Sequence, residues 1–127
     1  MQPILRRIFE VVKIDAEVLV VYDDPSDTTV PAIQNLQSEF SALRAIHNTY
    51  GRGPANAIKF GIDSSKSEVV VVTMADGCDD ASQIEILTRL VERGVVVAAA
   101  SRYARAGQQV GGPFLKGLMS RIAGLSL

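Results

Sequence analysis

Helix-period and strand-like segments alternate along the 127 residues of this chain, and the alternation predicts an α/β fold: a three-layer, mostly parallel sheet with helices on both faces. Two further observations agree. The run Val69-Val70-Val71-Val72-Thr73-Met74 is apolar without a break, the pattern of a strand buried on both sides beneath helices. Acids and glycines gather just after the strand-like runs, where open α/β sheets hold their ligands. The length is that of a single domain, residues 1–127, with enough chain to build a core.

Each element has its own justification. Ile4, Leu5, Ile8, Phe9, Val11 and Val12 recur at helical spacing, so residues 3–13 form an amphipathic helix with Pro3 in its first turn. Residues 17–22 read as a strand, stopped by the turn-forming Asp23-Asp24-Pro25-Ser26-Asp27. Pro31 opens a helix over 30–40, with Ile33, Leu36, Gln37 and Phe40 along one side. A short strand at 43–47 runs into the breaker Gly51-Arg52-Gly53-Pro54, and a helix over 54–64 turns Ala57, Ile58 and Ile62 inward. After the central valine strand, 69–74, comes a helix at 82–93 carrying Ile84, Leu87, Leu90 and Val91. Gly94 stops it, and 95–100 is a further buried strand. A Gly-rich loop with Gly107, Gly111 and Gly112 leads to a last helix over 114–123.

Composition excludes several classes. Thirteen Lys and Arg balance fourteen Asp and Glu, so no field attracts nucleic acid. One cysteine rules out an internal disulfide framework and fits a reducing, cytoplasmic compartment. No apolar run has the length of a membrane span. Cys78 is a small loop thiol rather than a nucleophile, since His47 is the chain's one histidine. His47 itself reads as a surface or loop residue, Arg6, Arg7 and Lys13 as a solvated helix face, and Met74 and Met119 as core.

The strand ends would converge on one crevice: Asp23 and Asp24, the Gly51–Gly53 loop, the segment from Asp76 to Asp80, and Ser101-Arg102-Tyr103. Acids can accept from a base or ribose and can bind metal, glycines let backbone approach a ligand, and Arg102 can meet phosphate or carboxylate. Asp76, Asp79 and Asp80 are hard oxygen donors suited to Mg²⁺ or Mn²⁺, and such an ion suits a diphosphate. Asp79 and Asp80 are equally suited to starting the next helix, with Asp80 or Ser82 as its cap.

Four segments carry a resemblance: Val20-Val21-Tyr22-Asp23-Asp24-Pro25-Ser26-Asp27-Thr28-Thr29; Asn48-Thr49-Tyr50-Gly51-Arg52-Gly53-Pro54-Ala55-Asn56-Ala57 with the later Gly61; Met74-Ala75-Asp76 with Asp79-Asp80; and Ser101-Arg102-Tyr103 with Gln108 to Gly112. In this order and spacing the chain resembles the nucleotide-sugar-binding half of a family 2 glycosyltransferase of GT-A, Rossmann-like fold, nearest the dolichyl- and polyprenyl-phosphate mannose or glucose synthases. The resemblance implies a GDP- or UDP-sugar donor, Mg²⁺ or Mn²⁺ on its diphosphate, and a polyprenyl-phosphate acceptor at a membrane surface. It implies that Asp23 and Asp24 hold the base or ribose, that Arg52 and Gly53 line the nucleotide pocket, and that Asp76 ligates the metal with Asp79 or Asp80.

The chain also departs from that pattern. Ala75 stands where the family's metal motif has its first acid, and Ala81 where a proline is usual. The family's first strand and its acceptor-binding region have no counterpart, so the chain is expected to be part of a longer one. Alone it should bind nucleotide weakly, transfer little or no sugar, and associate as a homodimer through its open sheet. Two other classes compete. A response-regulator receiver domain also places acids after two strands, but needs a lysine where Ser101-Arg102 stands. A non-catalytic interaction module would keep the fold without the chemistry, as Ala75 and Ala81 allow.

Overall fold

The computed structural model describes residues 1–102 and 107. Six elements follow in the order α1 (Gln2–Val11), β1 (Val18–Tyr22), α2 (Thr29–Gln37), β2 (Leu43–His47), α3 (Pro54–Ser64) and α4 (Gln83–Glu92). All six match elements expected from periodicity, with ends shifted by up to three residues. Apart from Gly107, the Gly-rich loop, the last helix and the residues Tyr103, Lys116, Met119 and Arg121 lie outside the described residues.

β1 and β2 pair in parallel, with Val18 opposite Leu43 and Tyr22 opposite His47. Alternation along the pleat sends side chains to two layers. Val18, Val20 and Ala45 pack on the core of Leu5 from α1, Ile33 and Leu36 from α2, and Leu43. Val21 points the other way and meets α3 at Gly61, where an added Cβ would stand 3.1 Å from its Cγ2. Helices thus cover both faces of the parallel pair, the α/β arrangement expected of a Rossmann-like GT-A domain. Phe9 and Phe40 stack with centroids 4.3 Å apart, and Arg6 pairs with Glu39, so α1 is fastened to the end of α2.

Two expected strands do not form among the described residues. The sheet there has β1 and β2 alone; 69–74 and 95–100 carry no ladder. Burial differs accordingly. Val69 and Val71 are half-buried while Val70, Val72 and Met74 are exposed, so one side of the run is covered rather than two, and Met74 is no core residue. Val96 and Val97 are 91% and 80% exposed, which overturns the reading of 95–100 as a buried strand. An apolar run becomes a strand only when a neighbouring backbone offers its N–H and C=O groups, and composition cannot guarantee that neighbour. On α3, Ala57 is half-buried as expected, but Ile58 and Ile62 face solvent, and Phe60, Gly61 and Ser64 complete the half-buried stripe. Leu90 of α4 is likewise exposed, and Thr88 takes the buried position. No helix among the described residues is long and apolar enough to cross a membrane.

Candidate functional site at the carboxyl ends of β1 and β2

β1 and β2 finish side by side, so the residues that follow each strand meet. The Asn48 N–H donates to the Tyr22 carbonyl at 2.9 Å, carrying the pairing one residue past β2. That places the Asn48 side chain beside Asp23. Its Nδ2 donates to Asp23 Oδ1 and to the Gly51 carbonyl, each at 2.7 Å, and its Oδ1 accepts from the Tyr50 N–H at 2.9 Å. Asp23 Oδ2 accepts from the Gly53 N–H at 2.7 Å. Asn48 and Asp23 together therefore fold the Gly51–Gly53 loop against the end of β1. Gly51 and Gly53 have φ of 103° and 116°, a region that side-chain-bearing residues rarely adopt. Pro54 then starts α3 with a fixed φ.

Asp24 anchors the opposite wall. Its Oδ1 accepts from the Ser26 N–H at 2.9 Å and the Ser26 hydroxyl at 2.7 Å, and its Oδ2 meets Arg52 Nη2 at 2.6 Å. Asp27 repeats the device, accepting from the amide and hydroxyl of Thr29 at the start of α2. These bonds stabilise the charged carboxylates. The Gly53 amide and then the Asn48 amide hold Asp23 below the usual carboxylate range; Ser26 does the same for Asp24, with the Arg52 charge adding to it. Hydrogen bonds thus join Gly53 to Asp23 and Arg52 to Asp24 at the ends of β1 and β2. Asn48, which ties Asp23 to the glycine loop, is a further residue of this corner that charge and turn chemistry do not mark in the sequence. Its signal was a single amide residue between a strand end and Gly-x-Gly.

The acidic loop is organised locally. Asp76 Oδ1 accepts from the Cys78 N–H at 2.9 Å, Asp79 Oδ2 from the Met74 N–H at 2.8 Å, and Asp80 Oδ1 from the Ser82 N–H at 3.0 Å. Asp80 thus fixes the turn before α4, while Ser82 occupies the cap position without a capping bond from its side chain to the helix backbone. Ile4 of α1 lies against Gly77. The donors are hard oxygens that fit Mg²⁺ or Mn²⁺. Among the described residues, however, no three His, Cys, Asp or Glu side chains gather as a metal site. The charge of Asp76 pushes the Cys78 thiol up, keeping it protonated and a poor nucleophile. Arg102 is exposed at the end of the 95–100 run.

A helix-flanked parallel pair with acids and a Gly-x-Gly loop at its carboxyl end is the arrangement of an open α/β domain, which holds its ligands at the strand ends. The model of glycosyl transferase family 2 matches residues 2–118, and the chain belongs to that family. It is similar to a dolichol-phosphate mannosyltransferase of Pyrococcus furiosus, at 30% identity over 105 residues. That match covers 83% of this chain and 30% of the relative, so the chain spans under a third of the relative's length. Family membership sets aside the receiver-domain reading.

Proposed function

We propose that this chain is the donor-binding part of a glycosyltransferase that moves a sugar from a GDP- or UDP-sugar to a polyprenyl phosphate at the cytoplasmic surface of a membrane. The observation that carries the reading is the joining of Asp23, Asp24, Arg52 and Gly53 at the ends of β1 and β2, in a chain of this family. The acceptor class rests on the similarity to a dolichol-phosphate mannosyltransferase.

In this reading Asp23 and Asp24 accept hydrogen bonds from the base or ribose, Gly53 allows close backbone approach, and Arg52 and Arg102 meet anionic oxygens. Asp76, with Asp79 or Asp80, holds Mg²⁺ or Mn²⁺. One or two carboxylates suffice where substrate phosphates complete the coordination, so a closed three-acid cluster is not required. Bound, the ion would neutralise charge growing on the leaving nucleoside diphosphate. The acceptor phosphate is already anionic and needs little activation by a base. The exposed apolar residues at 70–74 and 95–97 support self-association, with a homodimer as the expected form.

Calorimetric titration with GDP-mannose, UDP-glucose, GDP and UDP, each with and without Mn²⁺, tests the donor site. The expected result is metal-dependent binding of one nucleotide class, lost in Asp76→Ala. Silence across all four ligands would reject the donor-site reading for this chain.

A further inference from the structure

We infer that Asn48 is a positioning residue of the donor site, which sets the Asp23 carboxylate and the Gly51–Gly53 loop in a single geometry. The inference rests on the donor-site reading for what the geometry serves. The positioning itself stands on contacts already in the chain. Asn48 is 5% exposed, and with Thr88 it is one of two buried polar residues among those described. Thr88 satisfies itself within its own helix, its hydroxyl donating to the Ile84 carbonyl. Asn48 instead ties three separate pieces together: the acid after β1, the Tyr50 amide and the Gly51 carbonyl.

Its chemistry suits that task. An amide offers two donors and an acceptor, and here both donors and the acceptor are used. Asp23 then has one oxygen on Asn48 and the other on the Gly53 N–H, so its carboxylate plane is fixed at two points. Each oxygen retains a lone pair for a ligand donor. No other common side chain of this size donates to both a carboxylate and a carbonyl while accepting from a backbone amide. Aspartate, its isostere, cannot do so while charged.

Asn48→Asp is therefore the informative variant. Two carboxylates this close repel each other when both are ionised, which raises the pair's affinity for a proton, so the pair should take one up as pH falls. Arg52 and His47 also act on Asp23, and the wild type carries both, so its own pH profile is the baseline. Titration with GDP-mannose and UDP-glucose in Mn²⁺ should give binding about tenfold or more weaker than wild type near pH 8, recovering toward wild type near pH 5.5 as the shared proton replaces the amide donor. A residue needed only for folding would lose binding at both pH values. Amide exchange of Gly53 provides a readout free of ligand: protected in the wild type, faster in Asn48→Asp at high pH, with the β1 and β2 amides unchanged. Asn48→Ser, which adds no charge, should speed Gly53 exchange at every pH. Gly53 exchange unchanged in both variants, or Asn48→Asp binding without pH recovery, would overturn the inference. Should the wild type bind neither nucleotide, the donor-site reading fails while the exchange data still decide the role of Asn48.

Discussion

Arg52 and Asp24 stand on different walls of the site and meet at 2.6 Å, the arginine from the glycine loop and the acid from the end of β1. The Arg52 side chain is 77% exposed, so the pair lies at the solvent edge of the β1 and β2 ends. Exposed ion pairs of this kind contribute little to folding, because water screens them and two long side chains must be held still. Arg52→Ala should leave the thermal midpoint within a few degrees of wild type while weakening nucleotide binding about tenfold, the loss expected for one charge-assisted contact. Melting curves and calorimetry on the same sample separate the two effects.

Acid should destabilise the chain in a defined direction. Asp23, Asp24, Asp27 and Asp80 all titrate below their ordinary range because hydrogen bonds favour their charged forms. Their contribution is fully present above the unfolded carboxylate range, about pH 4, and is lost as pH falls through the lower folded values. Urea unfolding across this range should show stability level near neutrality and falling below it. Asp27→Asn should flatten the fall, since Asp27 is bonded to the amide and hydroxyl of Thr29.

Gly53 has open space where a Cβ would sit, so a substitution there tests backbone conformation rather than crowding. At φ of 116° an alanine is strained, and Gly53→Ala should cost about 1–3 kcal/mol in urea unfolding. A neutral result would mean that the loop readily adopts another turn.

Ile33 is 1% exposed at the centre of the core between α1, α2 and the sheet. Ile33→Ala should cost about 2–5 kcal/mol, the range for a large aliphatic side chain removed from a packed interior. Ile58→Ala and Ile62→Ala on the outer side of α3 should cost far less, and equal losses would contradict the assigned face of that helix.

Self-association is open to a direct test. Sedimentation equilibrium at micromolar concentration should give a dimer, and Val72→Lys with Val96→Lys should shift it toward monomer. A wild-type monomer would reject the homodimer.

Local signals sufficed for much of this. The periodicity of Leu5 and Ile8, of Ile33 and Leu36, and the turn cluster after Tyr22 placed α1, α2, β1 and β2 near their observed positions, because each is decided within a few residues. The valine run at 69–74 has the composition of a strand but carries no ladder, because strand formation depends on a partner backbone elsewhere and residue type holds no record of it. Ile58 and Ile62 were misplaced for a related reason. Hydrophobicity ranked them above Gly61, yet the sheet accepts the residue with least bulk opposite Val21. The site followed the same division. Asp23, Asp24, Arg52 and Gly53 stood out by charge and turn chemistry. Asn48 did not, since its importance lies in three bonds that exist only after β1 and β2 are aligned.

The short route from β1 to β2 also bears on how the chain acquires its shape. One nine-residue helix and two brief turns separate the paired strands. Few residues must be ordered before the ladder closes, and contacts between near neighbours in sequence form fastest. During synthesis this β1–α2–β2 unit would be complete once His47 is available, and the next residue, Asn48, would then come to lie beside Asp23. Gly51 and Gly53 emerge next and find both of their anchors in place. The corner that joins Asp23, Asn48 and Gly53 is thus expected to assemble ahead of α4, and slow late steps should leave Gly53 protected while the amides of α4 still exchange.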